Sequence, residues 1–366
     1  MKTKAILLAL SLISLGSNAQ GLKDAVGKYF LIGAAINVNQ SNGTDKPATE
    51  VLKTHFNQIV AENCMKSASL QPEEGKFSWG DADNLVKFGQ ENHMTIIGHC
   101  LVWHSQAPRW MFTDKDGKTV SRDELIKRMT THIRTVVSHF KGKVHGWDVV
   151  NEAFNDDGTM RQSPYYKIIG PDFIEIAFKA AHEADPNVEL YYNDYSMSNK
   201  GKRDSVCALV KRLKAHGYRI DAVGMQSHNG MDYPDLREYE KSIDAFAACG
   251  VKVMMTELDL NVLPSPAHFG GANVSDRFAY NKSMNPYSDG LPDSVAQKVR
   301  NRYLDLFKVY YRHRSQISRV TLWGVSDRGS WLNNWPIPGR TNYPLLFDRE
   351  YQAKPVVKDI IDLFNK

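Results

Sequence analysis

Eight short apolar runs, spread along nearly the whole chain and separated by segments of helical period, constrain the fold of this sequence more than any other feature. They occupy residues 30–37, 57–62, 95–103, 144–151, 188–193, 222–226, 252–258 and 319–323. Between them, segments such as 123–140, 172–184, 202–216, 236–249 and 294–311 repeat apolar residues every three or four positions, as one buried helical face requires. Strict alternation of strand and helix implies parallel strands joined by crossovers. Eight such units are the number that closes a (β/α)8 barrel, so the expected fold class is α/β, a single TIM barrel. No Pro/Gly/Ser-rich linker or repeat marks a boundary, and residues 20–366 are read as one domain.

In such barrels the chemistry sits at the C-terminal ends of the strands, where the βα loops form one face. Residue types suited to chemistry fall at those ends here. They are Glu62 and Asn63, His99 and Trp103, Asn151 and Glu152, Asn193 and Asp194, Gln226 and His228, Glu257 and Asp259, and Trp323 and Asp327. Strand interiors are mostly apolar or small. The stretch 263–292, rich in Pro, Gly, Asn and Ser, follows the seventh strand and is long for a βα loop. It is read either as part of a substrate groove or as an insertion beside it.

Residues 1–19 combine two lysines, an apolar run from Ala5 to Leu15 and a small-residue end at Ala19, the layout of a secretory signal peptide. The run is shorter than the roughly 20 residues that span a bilayer. The chain is therefore expected to be exported, periplasmic or secreted, without membrane insertion, and monomeric. A net charge of +5 with no Lys/Arg run gives no electrostatic footprint for nucleic acid. Cys64, Cys100, Cys207 and Cys249 show no CxxC spacing, so neither zinc nor a redox motif is indicated, and the sequence does not choose between a disulfide and free thiols.

Hydrolysis of a glycosidic bond needs one carboxyl that protonates the leaving oxygen and another that attacks from the opposite face or activates water there. Glu152 directly follows the fourth apolar run and Glu257 lies near the end of the seventh, on roughly opposite sides of the barrel mouth. Asn151 is placed to bond a sugar hydroxyl beside the reacting carbon. His228 is placed to hold Glu257 ionised, with Asp259 fixing the imidazole. Trp103, Tyr195, Trp323 and Trp331 are candidate platforms for the apolar face of a pyranose, and Asn, Gln, Glu and Lys side chains can read its hydroxyls.

The same residues resemble glycoside hydrolase family 10, the endo-β-1,4-xylanases, from about Ala34 to Val356. The resemblance rests on Glu62-Asn63-Cys64-Met65-Lys66, the stretch from Gly98 to Gln106, Trp147-Asp148-Val149-Val150-Asn151-Glu152 and Tyr192-Asn193-Asp194-Tyr195. It continues in Gln226-Ser227-His228, Thr256-Glu257-Leu258-Asp259, the stretch from Thr321 to Asp327, Ser330-Trp331 and Pro344-Leu345-Leu346-Phe347-Asp348. It implies cleavage of internal bonds of xylan with retention, Glu152 as acid/base and Glu257 as nucleophile. Glu62, Asn63, Lys66, His99, Trp103, Gln106, Trp323 and Trp331 would bind sugars on the non-reducing side. Tyr195 and Gln226 complete the expected substrate contacts, and no metal or cofactor is implied.

This sequence departs from the family pattern at Ser67, Cys64 and Cys100, at Asn229-Gly230-Met231 after His228, and in the long 263–292 stretch. The last two put the leaving-group side and side-chain tolerance in question. The alternatives are a related barrel acting on β-glucans or aryl glycosides, and a non-catalytic xylan-binding barrel. Lys66, Gln106, Trp323 and Trp331 would crowd the hydroxymethyl group of a hexose, and both glutamates are intact. A metal-dependent hydrolase using His99, His104 and His228 lacks the spacing of a metal motif.

Overall fold

The computed structural model describes residues 20–266 and 274–366, so the expected signal peptide at residues 1–19 lies outside the described residues. The strands are β1 (Leu31–Ile36), β2 (Gln58–Ala61), β3 (Thr95–Trp103), β4 (Gly146–Asn151), β5 (Glu189–Asp194), β6 (Ala222–Met225), β7 (His228–Gly230), β8 (Lys252–Asn261) and β9 (Ile317–Leu322). β1 pairs in parallel with β2 and β9, the order continues from β2 through β6, and β6 pairs with β8, which pairs with β9. That ring closes the barrel in eight positions.

The ninth strand is a continuation of the sixth position. After β6 the chain turns at Ser227, whose φ is +68°, and β7 then pairs with the far end of β8, His228 opposite Asp259. The turn lifts His228 onto the rim beside the end of the seventh barrel strand. The sequence expectation of eight strands holds, with this break as the added detail.

Parallel strands covered by helices have two buried faces, which explains runs such as Val-Met-Met in place of clean alternation. Outward side chains pack against the surrounding helices, including Arg122–His139, Phe173–Ala184, Lys200–Ala215, Leu236–Ala248 and Asp293–Arg312. Ser121 and Asp235 cap two of these by accepting backbone N–H bonds in the first turn. Ala35, Val60, Ile97, Tyr191, Ala222, Met254 and Trp323 fill the barrel interior as a second cluster. At Gly98 a Cβ would stand 2.2 Å from the Trp147 ring, so only glycine lets that indole pack across the strand. Among the described residues no helix is long and apolar enough to cross a membrane. The four cysteines are unpaired, Cys100 buried and the others half-buried.

Candidate active site

A cleft of about 600 Å3 opens at the C-terminal ends of the strands. Glu62, Asn63, Lys66, His99, Trp103, Gln106, Asn151, Glu152, Gln226, His228, Glu257, Trp323 and Trp331 all line it, so most of the residues singled out from the sequence meet in one place. Strand order accounts for this: each lies in the middle or C-terminal part of a barrel strand, or in the segment that follows.

Glu152 is 5% exposed and sits in the left-handed region with φ +59°. A non-glycine residue there costs on the order of 1–3 kcal/mol and persists only where its surroundings hold it. Here the Glu152 N–H donates to the Asn193 carbonyl at 2.9 Å, and Arg161 Nε donates to the Glu152 carbonyl at 2.9 Å. The carboxyl accepts from Trp103 Nε1 at 2.9 Å on one oxygen and from Gln226 Nε2 at 2.9 Å on the other. Burial, seconded by the negative charge of Asp194, nevertheless pushes its pKa above the ordinary carboxylate value.

Glu257 is equally buried but is pulled the other way. Burial works to raise its pKa. The hydrogen bond from His228, electrostatic contributions from His99 and His228, and a bond from Asn193 overcome that effect and leave it below the usual value. His228 Nε2 stands 3.1 Å from Glu257 Oε2, and Nδ1 stands 3.0 Å from Asp259 Oδ2. Burial disfavours the imidazolium, yet the two carboxylates raise the His228 pKa to about 10. Asp259 also accepts from Trp331 Nε1 at 2.8 Å, so one carboxylate orients both a histidine and an indole.

Asn193 ties the two halves together. Its Nδ2 donates to Glu257 Oε1 at 2.8 Å and to Asn151 Oδ1 at 3.0 Å, while Thr256 Oγ1 donates to its Oδ1 at 2.6 Å. With both acceptors and its own oxygen engaged, Asn193 cannot flip without breaking three bonds. On the strand-two and strand-three side, Lys66 Nζ donates to Asn63 Oδ1 at 2.9 Å and Gln106 Oε1 at 2.8 Å, and lies 5.0 Å from the centre of the Trp103 ring. Burial lowers the Lys66 pKa and raises that of Glu62. His99 Nδ1 meets Asp148 Oδ2 at 2.9 Å, and the His99 ring packs edge-on to Trp323 at 5.3 Å.

Besides Asn193 and Asp194, three further residues singled out from the sequence do not line the cleft. Tyr195 lies outside the lining of this cleft: Arg161 donates to its hydroxyl at 2.5 Å and Lys202 Nζ sits 3.6 Å from its ring centre. Asp259 acts on the cleft through His228 and Trp331. Asp327 is fully buried, accepts from the Leu345 N–H at 2.8 Å and pairs with Lys354 at 2.7 Å, which ties the loop after β9 to the rest of the chain.

The cleft also recruits residues that the sequence did not single out individually. Val274, Ser275 and Arg277 line it, so the 263–292 stretch forms part of the groove wall; residues 267–273 of that stretch are outside the described residues. Asn334 and Trp335 line it too, and Trp335 stacks on Trp331 at 4.5 Å and 21°. The spacing of two tryptophans four residues apart is the signal that could have found Trp335. Nothing local in the sequence marks Arg161.

A buried carboxyl pushed toward its neutral form, facing a cleft with a second carboxyl held ionised, is the combination that supplies an acid and a nucleophile at one pH. Among the described residues no cluster of three or more His, Cys, Asp or Glu side chains is arranged to hold a metal ion.

The sequence model of glycosyl hydrolase family 10 matches residues 21–363. The chain is 57% identical over 359 residues to endo-1,4-beta-xylanase A of Xylanibacter ruminicola, an alignment covering 98% of this chain and 97% of that relative. It is 39% identical to endo-1,4-beta-xylanase C of Paenibacillus barcinonensis across 97% of this chain, but spans only 32% of that longer protein. A solved GH10 endoxylanase retrieved from sugarcane soil metagenome matches with a TM-score of 0.90 at 45% identity, covering 94% of this chain and 100% of that one. With its eight-position barrel and its paired glutamates at the ends of the fourth and seventh barrel strands, this chain belongs to glycosyl hydrolase family 10.

Proposed function

We propose that this protein is an endo-1,4-β-xylanase, cleaving internal β-1,4-xylosidic bonds of xylan with retention of anomeric configuration. Glu152 is the acid/base and Glu257 the nucleophile. The opposed ionisation of the two buried glutamates carries the assignment: Glu152 is pushed toward its neutral form by burial, while Glu257 is held ionised by His228 and Asn193. In the first step Glu257 attacks the anomeric carbon as Glu152 gives its proton to the departing oxygen. In the second, Glu152, now ionised, takes a proton from the water that displaces Glu257, and retention follows from the two inversions.

Asn151 lines the cleft beside Glu152, its Nδ2 3.4 Å from Glu152 Oε1, and its amide can bond the 2-hydroxyl of the reacting sugar, a bond that strengthens as charge develops. Lys66, Asn63, Gln106 and Glu62 read hydroxyls on the non-reducing side, and Trp323 and Trp331 close around a ring without a hydroxymethyl group. The relatives' own names support xylan as substrate. The signal-like pattern of residues 1–19 supports export, to the periplasm or beyond the cell, where a polymeric substrate is met.

The test is product analysis over time on unsubstituted β-1,4-xylan beside cellulose. Early xylo-oligosaccharides of mixed length are the expected result. Products from cellulose alone would replace this reading with a glucanase, and binding without products would make the barrel a non-catalytic one.

A further inference from the structure

The loop that leaves Glu152 is clamped by a buried ion pair that the catalytic scheme does not use. Lys202, on the helix Lys200–Ala215, is fully buried, as is Asp194 at the end of β5. Lys202 Nζ donates to Asp194 Oδ1 at 3.0 Å, the same oxygen that accepts the Tyr195 N–H at 2.9 Å. Asp194 Oδ2 accepts from Tyr192 Oη at 2.5 Å and from the Phe154 N–H at 3.4 Å. Tyr192 Oη in turn accepts the Ala153 N–H at 3.0 Å. The two residues that follow Glu152 are thus fastened to one carboxylate, directly or through one phenol.

That geometry matters because Glu152 occupies a backbone conformation that needs external support. It matters also because the negative charge of Asp194 disfavours ionisation of Glu152. We propose that the Asp194–Lys202 pair is a positioning element for the acid/base, fixing the backbone after Glu152 and setting, by its balance of charge, how readily Glu152 gives up its proton. The proposal rests on Glu152 being the acid/base.

Two opposite effects follow from one pair. Asp194 disfavours a second negative charge on Glu152, and Lys202 moderates Asp194. The other ionisable groups around Glu152 are Glu257 from β8, Lys66 from the loop after β2, Cys100 from β3, Arg161 from the loop after β4, and Tyr192 and Tyr195 around the end of β5. Asp156 reaches Lys202 from that same post-β4 loop at 3.2 Å. Of these, Arg161, Tyr192 and Tyr195 themselves feel the charge of Asp194, and Tyr195 and Asp156 that of Lys202.

The experiment is the pH profile of kcat/KM on xylo-oligosaccharides for the full protein and for Asp194→Asn, Lys202→Met and Glu152→Gln, with thermal melts to confirm folding. Asp194→Asn removes the repelling charge, so the alkaline limb should move to lower pH by about one unit. Lys202→Met leaves Asp194 unmoderated, so the same limb should move to higher pH. A purely structural pair would lower activity without moving the limb, or would move it the same way in both variants, and either result overturns the proposal. If Lys202→Met does not fold, Asp194→Asn decides alone, an unmoved or raised limb refuting it. Glu152→Gln on an activated aryl xyloside separates the two layers: an alkaline limb that persists there at its wild-type pH, below the titration of His228 near 10, refutes the role of Glu152 itself.

Discussion

His228 Nε2 stands 3.1 Å from Glu257 Oε2, and this contact favours the charged form of both groups. The consequence is read on the acid side of the pH profile. kcat/KM reports the free enzyme, in which Glu257, as the proposed nucleophile, must be ionised. His228→Asn removes the imidazolium, so the Glu257 pKa should rise and the acid limb should move to higher pH, with a loss of activity at pH 5 larger than at pH 7. An acid limb left in place would mean that His228 does not act on Glu257.

The same residue predicts a pH dependence of stability. The folded-state pKa of His228 is raised from 6.5 to about 10, so the contribution of this group is fully present below about pH 6.5 and lost as pH rises through about 10. Denaturant unfolding of wild type and His228→Asn at pH 6, 8 and 10 should show their difference shrinking as pH rises. A difference that is constant or grows would contradict a charged imidazole held between the two carboxylates.

Glu152→Ala should divide substrates by leaving group. With xylan, whose departing oxygen needs a proton, turnover should fall by about 10²- to 10⁴-fold. With an activated aryl xyloside the first step needs no proton, so a burst of phenol should survive, followed by slow release of the sugar. Equal losses on both substrates, without a burst, would count against Glu152 as the acid.

Asp327 is a matter of folding. Removing one partner of a buried pair typically costs about 3–5 kcal/mol, because the other charge is left without its counterion. Asp327→Ala strands Lys354 and frees the Leu345 N–H, so a destabilisation of that size is expected in denaturant titration, with kcat preserved in the fraction that folds. A variant as stable as wild type would show that the pair carries no net weight.

Much of this arrangement was legible in the chain. The eight apolar runs gave the barrel because parallel strands buried on both faces have no other way to appear, and the strand-end rule then placed Glu152, Glu257, His228 and Trp103 at one mouth. What period and motif do not encode is the turn at Ser227 that splits the sixth strand and lifts His228 to Glu257. The same holds for Asn193, legible as a strand-end residue but not as the link between Glu257, Asn151 and Thr256, since its three bonds reach residues 42, 63 and 64 positions away. Tyr195 looked like a sugar platform from its position alone. Its ring is instead packed against Lys202, 3.6 Å from the ring centre, a contact that depends on how the following helix docks.

The most direct test of the double-displacement account is to trap the sugar on the enzyme. A 2-fluoro xylobioside with an activated aryl leaving group slows both steps by opposing positive charge at the anomeric carbon, and its good leaving group restores the first, so the intermediate accumulates. Intact mass followed by peptide mapping should place one fluoro-xylobiosyl group on Glu257. A label on Glu152, or on any other residue, would contradict the assignment of the nucleophile.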